Sequence, residues 1–476
     1  MRYLGSKVKL LTAIQDVIDK YHIEGDTFAD LFSGTGCVGD FFKDSYNILT
    51  NDFLYYSSIM SKAKLKYSSA PQFRRFHNRY HMDIYEWLNR QEYTPNSTYF
   101  IYNNYTPVGG RMFFTEENGL RIDGIRQSIE ELKNNRMIDG DEYNFLIASL
   151  LESVTRYSNT SGTYEAFFKF WDSRALNEFV IEPLAMNETN GLRGFVSYSE
   201  DTNRLVRRIE GDIAYIDPPY TVTQYVSAYH LLETLAKYDY PAIAGVGGKR
   251  GRGDKNSLYA RRLGAKTQFE DLFRQIKFKH VIISYSNQGL VPLEELVELA
   301  EVFAVNHQVH VEHFDYKEYQ NHRSSNKGNG RNLNEVIIYF EKDLFVNKSP
   351  LNYSGSKDTM VEKINRELPA RVDTFVDVLG GAFNVGANIF ATNMVVYNEI
   401  DRRIYETVRW LTQSPKSDII GSVERCINEY QLGKGLEEPY KKLRDYYNSQ
   451  GTCLELFVLH MYAFQNMIRF NNSQKF

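Results

Sequence analysis

The apolar residues of the first fifty positions follow two different periods, which predict alternating helices and strands. Across residues 7–21 they recur at the three- and four-residue intervals of an amphipathic helix. Residues 27–32 and 47–50 are short apolar runs of the kind that form buried strands, and a second helix is predicted over residues 38–43. A strand, a helix and a strand in this order predict a β-α-β unit of an α/β fold.

Three later apolar runs are predicted to be strands of the same sheet. They are residues 212–216, 280–284 and 335–340. The first run leads directly into Asp-Pro-Pro-Tyr at residues 217–220. Because two successive prolines can neither continue a helix nor pair in a ladder, they predict a rigid turn at the carboxyl end of a strand. Open α/β sheets bind their ligands at that end, so we expect a functional site there.

A glycine-rich loop follows the first predicted strand. Gly34, Gly36 and Gly39 have the spacing G-x-G-x-x-G, which allows a tight turn and a close approach of the backbone to a ligand. Asp52, at the tip of the second predicted strand, is placed to accept hydrogen bonds from ribose hydroxyls. The loop therefore suits a dinucleotide or another adenosine-bearing cofactor, and a tight turn that binds no ligand is the alternative.

Part of this pattern returns near the end of the sequence. Tyr-Leu-Gly-Ser-Lys at residues 3–7 recurs as Tyr-Ser-Gly-Ser-Lys at 353–357, and the run at 28–34 recurs at 375–381. The nearly constant spacing predicts two copies of one architecture. The second copy contains no Asp-Pro-Pro-Tyr, so it belongs either to a longer tandem protein, which we favour, or to a rebuilt helper domain.

Composition and charge narrow the class of protein. The 476 residues are 42% apolar and 24% charged, as in an ordinary globular protein. The net charge of −4 excludes a polybasic protein but permits a local basic face. Three widely separated cysteines predict neither a disulfide framework nor a zinc site, and we expect no metal and a cytoplasmic location. No apolar run approaches the roughly 18 residues of a membrane span.

Together, these motifs resemble the DNA amino-methyltransferases that use S-adenosylmethionine (AdoMet). The resemblance rests on Y-x-G-S-K, D-x-F-x-G-x-G, the acidic strand tip and D-P-P-Y, and it extends over residues 1–343. The order of motifs resembles the class α group, which includes the Dam enzymes. The partial repeat resembles the tandem adenine methyltransferases of type IIS restriction–modification systems, of the FokI kind.

The resemblance implies a Rossmann-like methyltransferase fold with a mixed sheet and a division of the chain. Residues 1–112 and 209–343 are expected to form the catalytic domain, and residues 113–208 an inserted target-recognition region. Within that region, the polar stretch 157–164 is the best candidate for reading bases. Residues 344–476 are expected to form a partial second module with the cofactor half alone.

The resemblance also implies a role for each motif residue. Asp217 and the carbonyl of Pro218 accept hydrogen bonds from an exocyclic base amine, Pro219 completes the rigid turn, and Tyr220 stacks on the flipped-out base. The implied cofactor-binding residues are Tyr3, Lys7, Asp30, Phe32, Gly34, Gly36 and Asp52. Their counterparts in the second copy are Tyr353, Lys357, Asp377, Gly380 and Glu399, with Phe383 in the place of Gly36.

Two basic loops are predicted to contact DNA phosphates. The first contains Lys249, Arg250, Arg252, Lys255, Arg261 and Arg262, and the second contains Arg323 and Lys327. Double-stranded DNA is therefore the expected partner. A cognate restriction endonuclease would share the recognition site without having to bind the protein, and no membrane partner is expected.

We predict a site-specific methyltransferase that moves a methyl group from AdoMet to the exocyclic amine of a flipped-out adenine and protects host DNA in a restriction–modification system. Cytosine-N4 methylation is the nearest alternative, although Asp217 favours adenine because serine is commoner there in cytosine enzymes of the family. An NAD-binding oxidoreductase is compatible with the glycine loop alone. A non-catalytic DNA-binding or specificity subunit is compatible with the second copy alone.

Overall fold

A seven-stranded sheet lies at the centre of the first of two units, Met1–Asp343. The computed structural model describes residues 4–5, 7–315, 334–344, 347–369 and 372–476. The strands of this unit are β1 (Thr27–Asp30), β2 (Asn47–Asn51), β3 (Phe195–Tyr198), β4 (Glu210–Ile216), β5 (Ile243–Ala244), β6 (Lys249–Arg250), β7 (Lys277–Ser286), β8 (His310–Asp315) and β9 (Asn334–Glu341). Seven of them form the sheet in the order β3-β2-β1-β4-β7-β9-β8, and β5 and β6 form a separate ribbon.

The sheet is mixed because β9 runs antiparallel to both of its neighbours, β7 and β8. The other described neighbours in this sheet pair in parallel. Most residues of β1, β4 and β7 are buried, which explains why these strands are largely apolar runs in the sequence. This architecture confirms the predicted mixed α/β sheet.

Helices cover the sheet and extend beyond it. They are α1 (Leu11–Lys20), α2 (Cys37–Phe42), α3 (Tyr55–Lys66), α4 (Arg74–Tyr80), α5 (Ile84–Arg90), α6 (Phe100–Tyr105), α7 (Glu116–Asn134), α8 (Gly140–Tyr157), α9 (Thr202–Leu205), α10 (Tyr225–Ala228), α11 (His230–Lys237), α12 (Ala265–Gln275) and α13 (Leu293–Phe303). Single 3-10 turns occur at Val8–Leu10, Pro107–Gly109, Ser173–Leu176 and Val305–His307. Throughout the described ranges, no helix is long and apolar enough to cross a lipid bilayer.

The segment predicted as an insert, residues 113–208, is not a separate unit. Within it, α7 and α8 share one apolar core with α3 and α11. The same segment contains β3, which pairs with β2 in the main sheet, with Phe195 opposite Ile48. The predicted insert, which ends at residue 208, therefore includes a strand of the central sheet. Its edge position explains why β3 was not predicted, since Val196 is 46% exposed and the strand lacks a continuous buried run.

The second unit, Leu344–Phe476, contains a short pair of strands and a group of helices. Strands β10 (Thr374–Asp377) and β11 (Met394–Tyr397) pair in parallel, with Asp377 opposite Tyr397. The helices are α14 (Val361–Glu367), α15 (Arg402–Gln413), α16 (Lys416–Tyr430), α17 (Glu437–Gln450) and α18 (Cys453–Tyr462), with 3-10 turns at Asp358–Met360, Gly386–Asn388 and Phe464–Asn466. Two small apolar clusters contain side chains of α15, α16, α17 and α18 and hold these four helices together.

Candidate active site

The ends of four strands bring acidic side chains to one edge of the central sheet. Asp30 is the last residue of β1, Asp52 follows β2 and Asp217 follows β4. Because β9 runs in the opposite direction, its first residues reach the same edge, where Glu335 lies opposite Ser286 of β7. Asp30, Asp52 and Asp217 line a single pocket at this edge. The sheet topology therefore gathers residues that are far apart in the sequence, as expected for an α/β sheet.

Lys7, from the N-terminal segment, holds the carboxylate of Asp217. Lys7 Nζ lies 3.0 Å from Asp217 Oδ1, and only 5% of the lysine side chain is exposed. Burial raises the pKa of Asp217 to about 6, and the nearby ammonium group opposes this rise. Burial also disfavours the charged lysine, but Asp217 and Glu335 outweigh that effect and raise the pKa of Lys7. Lys7 lines the pocket, and its ion pair is with Asp217 of the Asp-Pro-Pro-Tyr motif.

Tyr220 and Glu335 complete a buried cluster around Lys7. Tyr220 Oη donates a hydrogen bond to Glu335 Oε1 at 3.2 Å, and Lys7 Nζ lies 5.4 Å from the centre of the Tyr220 ring. Glu335 Oε2 lies 4.0 Å from Lys7 Nζ. Sequence reasoning missed Glu335, although a charged residue at the start of an otherwise apolar strand was a signal that could have identified it.

Asp30 is a buried acid without a regular hydrogen bond. It is 1% exposed, and neither carboxylate oxygen makes a hydrogen bond of regular geometry with the described residues. Burial raises the pKa of Asp30 to about 8, and the negative charge of Asp217 adds to the rise. The backbone amides of Gly39 and Phe32 only partly oppose this rise, so Asp30 is a candidate contact for a ligand that brings a cation or hydrogen-bond donors.

Asp52 holds the glycine-rich loop. Its Oδ2 accepts a hydrogen bond from the Gly34 amide, and its Oδ1 accepts one from the Leu54 amide, both at 2.9 Å. Burial raises the pKa of Asp52 to about 6, and these two amides oppose the rise. Gly36 has a φ of 70°, and a Cβ there would lie 2.9 Å from Ser61 Oγ, so the loop needs glycine to pack against α3. Gly34 lines the pocket, whereas Gly36 is absent from the described lining.

Aromatic side chains supply the rest of the pocket wall. Phe32, Phe53 and Tyr259 line it, and the rings of Phe32 and Tyr259 meet edge to face at 5.3 Å. Lys255 Nζ lies 4.7 Å from the centre of the Phe53 ring. Apolar rings beside buried carboxylates suit a ligand that combines a ring system with a positive charge. Among the described residues, no cluster of His, Cys, Asp and Glu side chains could hold a metal ion.

The motifs and the mixed sheet agree with what a comparison with known families shows. Residues 3–323 match the D12 class N6 adenine-specific DNA methyltransferase family. The chain belongs to this family. The protein is therefore an adenine-specific DNA methyltransferase, which confirms the predicted enzyme class and rules out the oxidoreductase and the non-catalytic subunit.

Several modification enzymes are similar to this methyltransferase. Modification methylase LlaI of Lactococcus lactis subsp. lactis is 53% identical over 478 residues, which cover 100% of this chain and 77% of that protein. The type II methyltransferase M.FokI of Planomicrobium okeanokoites is 37% identical over 500 residues, which cover 100% of this chain and 76% of that protein. The type II methyltransferase M.NlaIII of Neisseria lactamica is 36% identical over 304 residues, with 63% of this chain and 87% of that protein covered.

The first basic loop of the methyltransferase is only partly available to DNA. Lys249 forms an ion pair with Glu165 at 2.9 Å, and Arg250 forms one with Asp239 at 2.7 Å. Lys255 lines the pocket and lies over the Phe53 ring. The remaining predicted DNA contacts, Arg252, Arg261 and Arg262, are exposed and have no ion pair with another described residue. Tyr3, Arg323 and Lys327 lie outside the described residues.

In the polar stretch 157–164 of the methyltransferase, some side chains predicted to contact bases are buried. Asn159 is 0% exposed, and its side-chain amide donates hydrogen bonds to the carbonyls of Met112, Phe168 and Phe170 at 3.0–3.1 Å. Thr160 is 1% exposed. Asn159 therefore fixes the local backbone instead of reading bases.

The second unit repeats the hydrogen bonds of the glycine loop. Glu399 Oε2 accepts a hydrogen bond from the Gly381 amide at 2.9 Å, as Asp52 does from Gly34. Phe383 adopts a φ of 65° at the position that corresponds to Gly36. The left-handed backbone conformation is therefore retained in the second unit, although Phe383 carries a large side chain where the first unit has glycine.

Other predicted residues of the second unit differ from their counterparts. Asp377 Oδ2 accepts a hydrogen bond from the Gly386 amide at 3.0 Å, which satisfies this carboxylate. A Cβ on Gly380 would lie 2.5 Å from the ring of Tyr397, so this glycine makes room for an aromatic side chain. Tyr353 is half-buried, whereas Lys357 is exposed and donates to the Gly355 carbonyl at 3.0 Å. Among the residues that the structure describes, Lys357 has no carboxylate partner of the kind that Asp217 provides for Lys7.

Proposed function

We propose that the first unit transfers a methyl group from AdoMet to N6 of an adenine flipped out of double-stranded DNA. This proposal is supported by the positions of Asp217 and Pro218, which line the same pocket as Asp30 and Asp52. A donor molecule and an acceptor base in that pocket would meet at the end of β4. The named relatives are modification methylases, which supports a role in the modification half of a type IIS restriction–modification system.

The residues at the cofactor end fit AdoMet. Bound AdoMet supplies an electrophilic methyl group on a sulfonium and a positively charged amino-acid end. Asp30 is a buried carboxylate that lacks a regular partner among the described residues, so a cationic amino group would compensate it. We assign Asp30, Phe32 and Gly34 to the amino-acid end, and Asp52 to the ribose.

The residues at the base end address the weak nucleophilicity of adenine N6, whose lone pair is delocalised into the ring. Hydrogen bonds from the amine to Asp217 and to the Pro218 carbonyl return electron density to nitrogen and stabilise the positive charge that develops on it. Asp217, whose pKa burial raises to about 6, can then take up the proton that the methylated amine must release. The Tyr220 ring stacks on the extruded base and orients it.

DNA binding is assigned to groups around the pocket. The exposed side chains of Arg252, Arg261 and Arg262 are the best candidates for phosphate contacts from the first basic loop. We also propose that the helices of residues 113–157 take part in target recognition, although they share the core of the catalytic unit. In the second unit, we propose that the loop held by Glu399 is a secondary cofactor site that lacks a catalytic motif.

The test is to incubate plasmid DNA with the protein and AdoMet and to sequence the methylated bases. We expect methyl groups on adenine N6 at one recurring sequence, and none with the D217A variant. DNA affinity and AdoMet affinity of D217A should stay within a few-fold of the unaltered protein, which shows that the fold is intact. Methylated cytosine, or an active D217A variant, would refute the proposed chemistry.

A further inference from the structure

Two carboxylates flank the ammonium group of Lys7, but only one of them pairs with it closely. Lys7 Nζ lies 3.0 Å from Asp217 Oδ1 and 4.0 Å from Glu335 Oε2. The exposed fractions of the three side chains are 5% for Lys7, 14% for Asp217 and 5% for Glu335. A movement of Nζ by about 1 Å, which a rotation of the flexible lysine stem provides, would exchange the closer partner.

Only one of the two carboxylate oxygens of Glu335 has a hydrogen-bond partner among the described residues. Its Oε1 accepts the hydroxyl of Tyr220 at 3.2 Å, whereas its buried Oε2 has no hydrogen bond to any residue that the structure describes. A buried carboxylate oxygen without a donor is costly and rare in stable proteins. The nearby Lys7 is a strong donor that could satisfy it.

Asp217, in contrast to Glu335, already has a close cationic partner. Its role in the proposed function requires its carboxylate to accept hydrogen bonds from the adenine amine, yet one of its oxygens is already held by Lys7 at 3.0 Å. If Lys7 left the pocket, two buried carboxylates would face each other without a cation, which electrostatics opposes. A lysine that changes its partner within the cluster would leave every acceptor site of Asp217 to the amine and keep a cation between the two carboxylates.

We propose that Glu335 receives the Lys7 ammonium when the target adenine enters, so that Asp217 is freed to bind the N6 amine. Glu335 is then a positioning residue that acts through Lys7 and does not touch the base. The exchange keeps one cation between two carboxylates throughout. It also gives Glu335 Oε2 the hydrogen-bond donor that this oxygen lacks among the described residues. This inference rests on the proposed role of Asp217.

The main test replaces Glu335 with its neutral isostere, because the glutamine oxygen can still accept the Tyr220 hydroxyl. We expect E335Q to lower the single-turnover rate of methyl transfer at least tenfold, with the dissociation constant of AdoMet and the KM for DNA changed less than threefold. E335D, which keeps the charge on a shorter stem, should have an intermediate rate. The control is E341Q on the same strand, because Glu341 is exposed and pairs with Lys279 at 3.9 Å; its rate should be unchanged.

A double-mutant cycle separates this role from a structural one. In a K7M background, E335Q should lower the residual single-turnover rate less than twofold, because its effect passes through the lysine. An equal loss in both backgrounds, or a wild-type rate for E335Q, would overturn the inference while leaving the proposed function intact. If E335Q fails to fold, as judged by loss of AdoMet binding, E335D carries the test, and a wild-type rate in that variant would contradict the proposal. Failure of the proposed function would appear separately, as adenine methylation by D217A.

Discussion

Gly34 and Asp52 are joined by a 2.9 Å hydrogen bond from the backbone amide to the carboxylate, which ties the glycine loop after β1 to the end of β2. The second unit has the same relationship between Gly381 and Glu399, also at 2.9 Å. An acidic residue at this strand tip therefore has a structural role before any cofactor binds. A longer side chain performs it equally well in the second unit, because the extra methylene is accommodated without lengthening the bond.

The first prediction concerns this bond and cofactor affinity. Replacing Asp52 with alanine removes the acceptor of two backbone amides, at Gly34 and Leu54, and removes the proposed ribose contact. Each unsatisfied buried group costs about 1–3 kcal/mol, so AdoMet should bind roughly 10- to 100-fold more weakly. Isothermal titration calorimetry measures this affinity. The matched control is E399A, which breaks the equivalent bond in the second unit and should leave AdoMet affinity at the first-unit pocket unchanged. Equal losses of affinity in both variants would contradict our assignment.

The second prediction follows from the raised pKa of Asp30. Burial raises this pKa to about 8, so the carboxyl group is mostly protonated at pH 7, and a bound cation should lower its pKa and release the proton. Titrations at pH 7 in buffers of different ionisation enthalpy should therefore show that AdoMet binding releases nearly one proton. D30N should abolish this release and weaken binding. A binding enthalpy that is independent of the buffer in the unaltered protein would count against the assignment.

Asp30 also predicts a pH dependence of stability in the absence of cofactor. The folded-state pKa of about 8 lies above the usual value of 3.8, so the folded protein holds the proton more tightly than the unfolded chain. Its contribution to stability is complete below the unfolded pKa and is lost as pH rises through the window up to about 8. In thermal denaturation, D30N should lose less stability than the unaltered protein between pH 6 and 9, and parallel curves would show that Asp30 does not titrate there.

The rate of methyl transfer should depend on the ionisation of Asp217. Burial raises its pKa to about 6, and the carboxylate form is the stronger hydrogen-bond acceptor and the form that can take up the proton of the methylated amine. We expect the single-turnover rate to be constant above pH 7 and to fall about tenfold per pH unit well below pH 6. D217N should be slow at every pH, with no inflection near 6. A rate in the unaltered protein that is flat between pH 5 and 8 would mean that Asp217 does not titrate in this range.

The parts of the site that local sequence specifies were predictable. Gly34 and Asp52 come from one β-α-β unit, and Asp217 with its two prolines ends a strand that is apolar throughout. In each case the chemistry and the element that positions it lie within a few residues of each other. A parallel sheet then brings the strand ends together without further information, since its ligand site lies at the carboxyl edge.

The contacts that depend on tertiary register were not predictable in the same way. Glu335 reaches the site only because β9 enters the sheet antiparallel, and the partner of Lys7 depends on where the N-terminal segment lies. Lys249, predicted as a DNA contact, forms an ion pair with Glu165, which is 84 positions away in the sequence. Periodicity and motif spacing contain no information on ion pairs between distant residues. The sequence therefore identifies a charged side chain, but it does not identify the residue that pairs with it.

The final prediction tests which basic residues of the first loop contact DNA. Arg261 and Arg262 are exposed and have no ion pair with another described residue, so each can neutralise a phosphate, whereas Lys266 pairs with Glu295 at 2.7 Å. The double variant R261A/R262A should weaken DNA binding and reduce the slope of log affinity against log salt by about 2, since each phosphate contact contributes about 0.9. Fluorescence anisotropy with a labelled duplex at several salt concentrations measures both quantities. K266A is the control and should change the slope by less than half as much; an unchanged slope in R261A/R262A would place the phosphate contacts elsewhere.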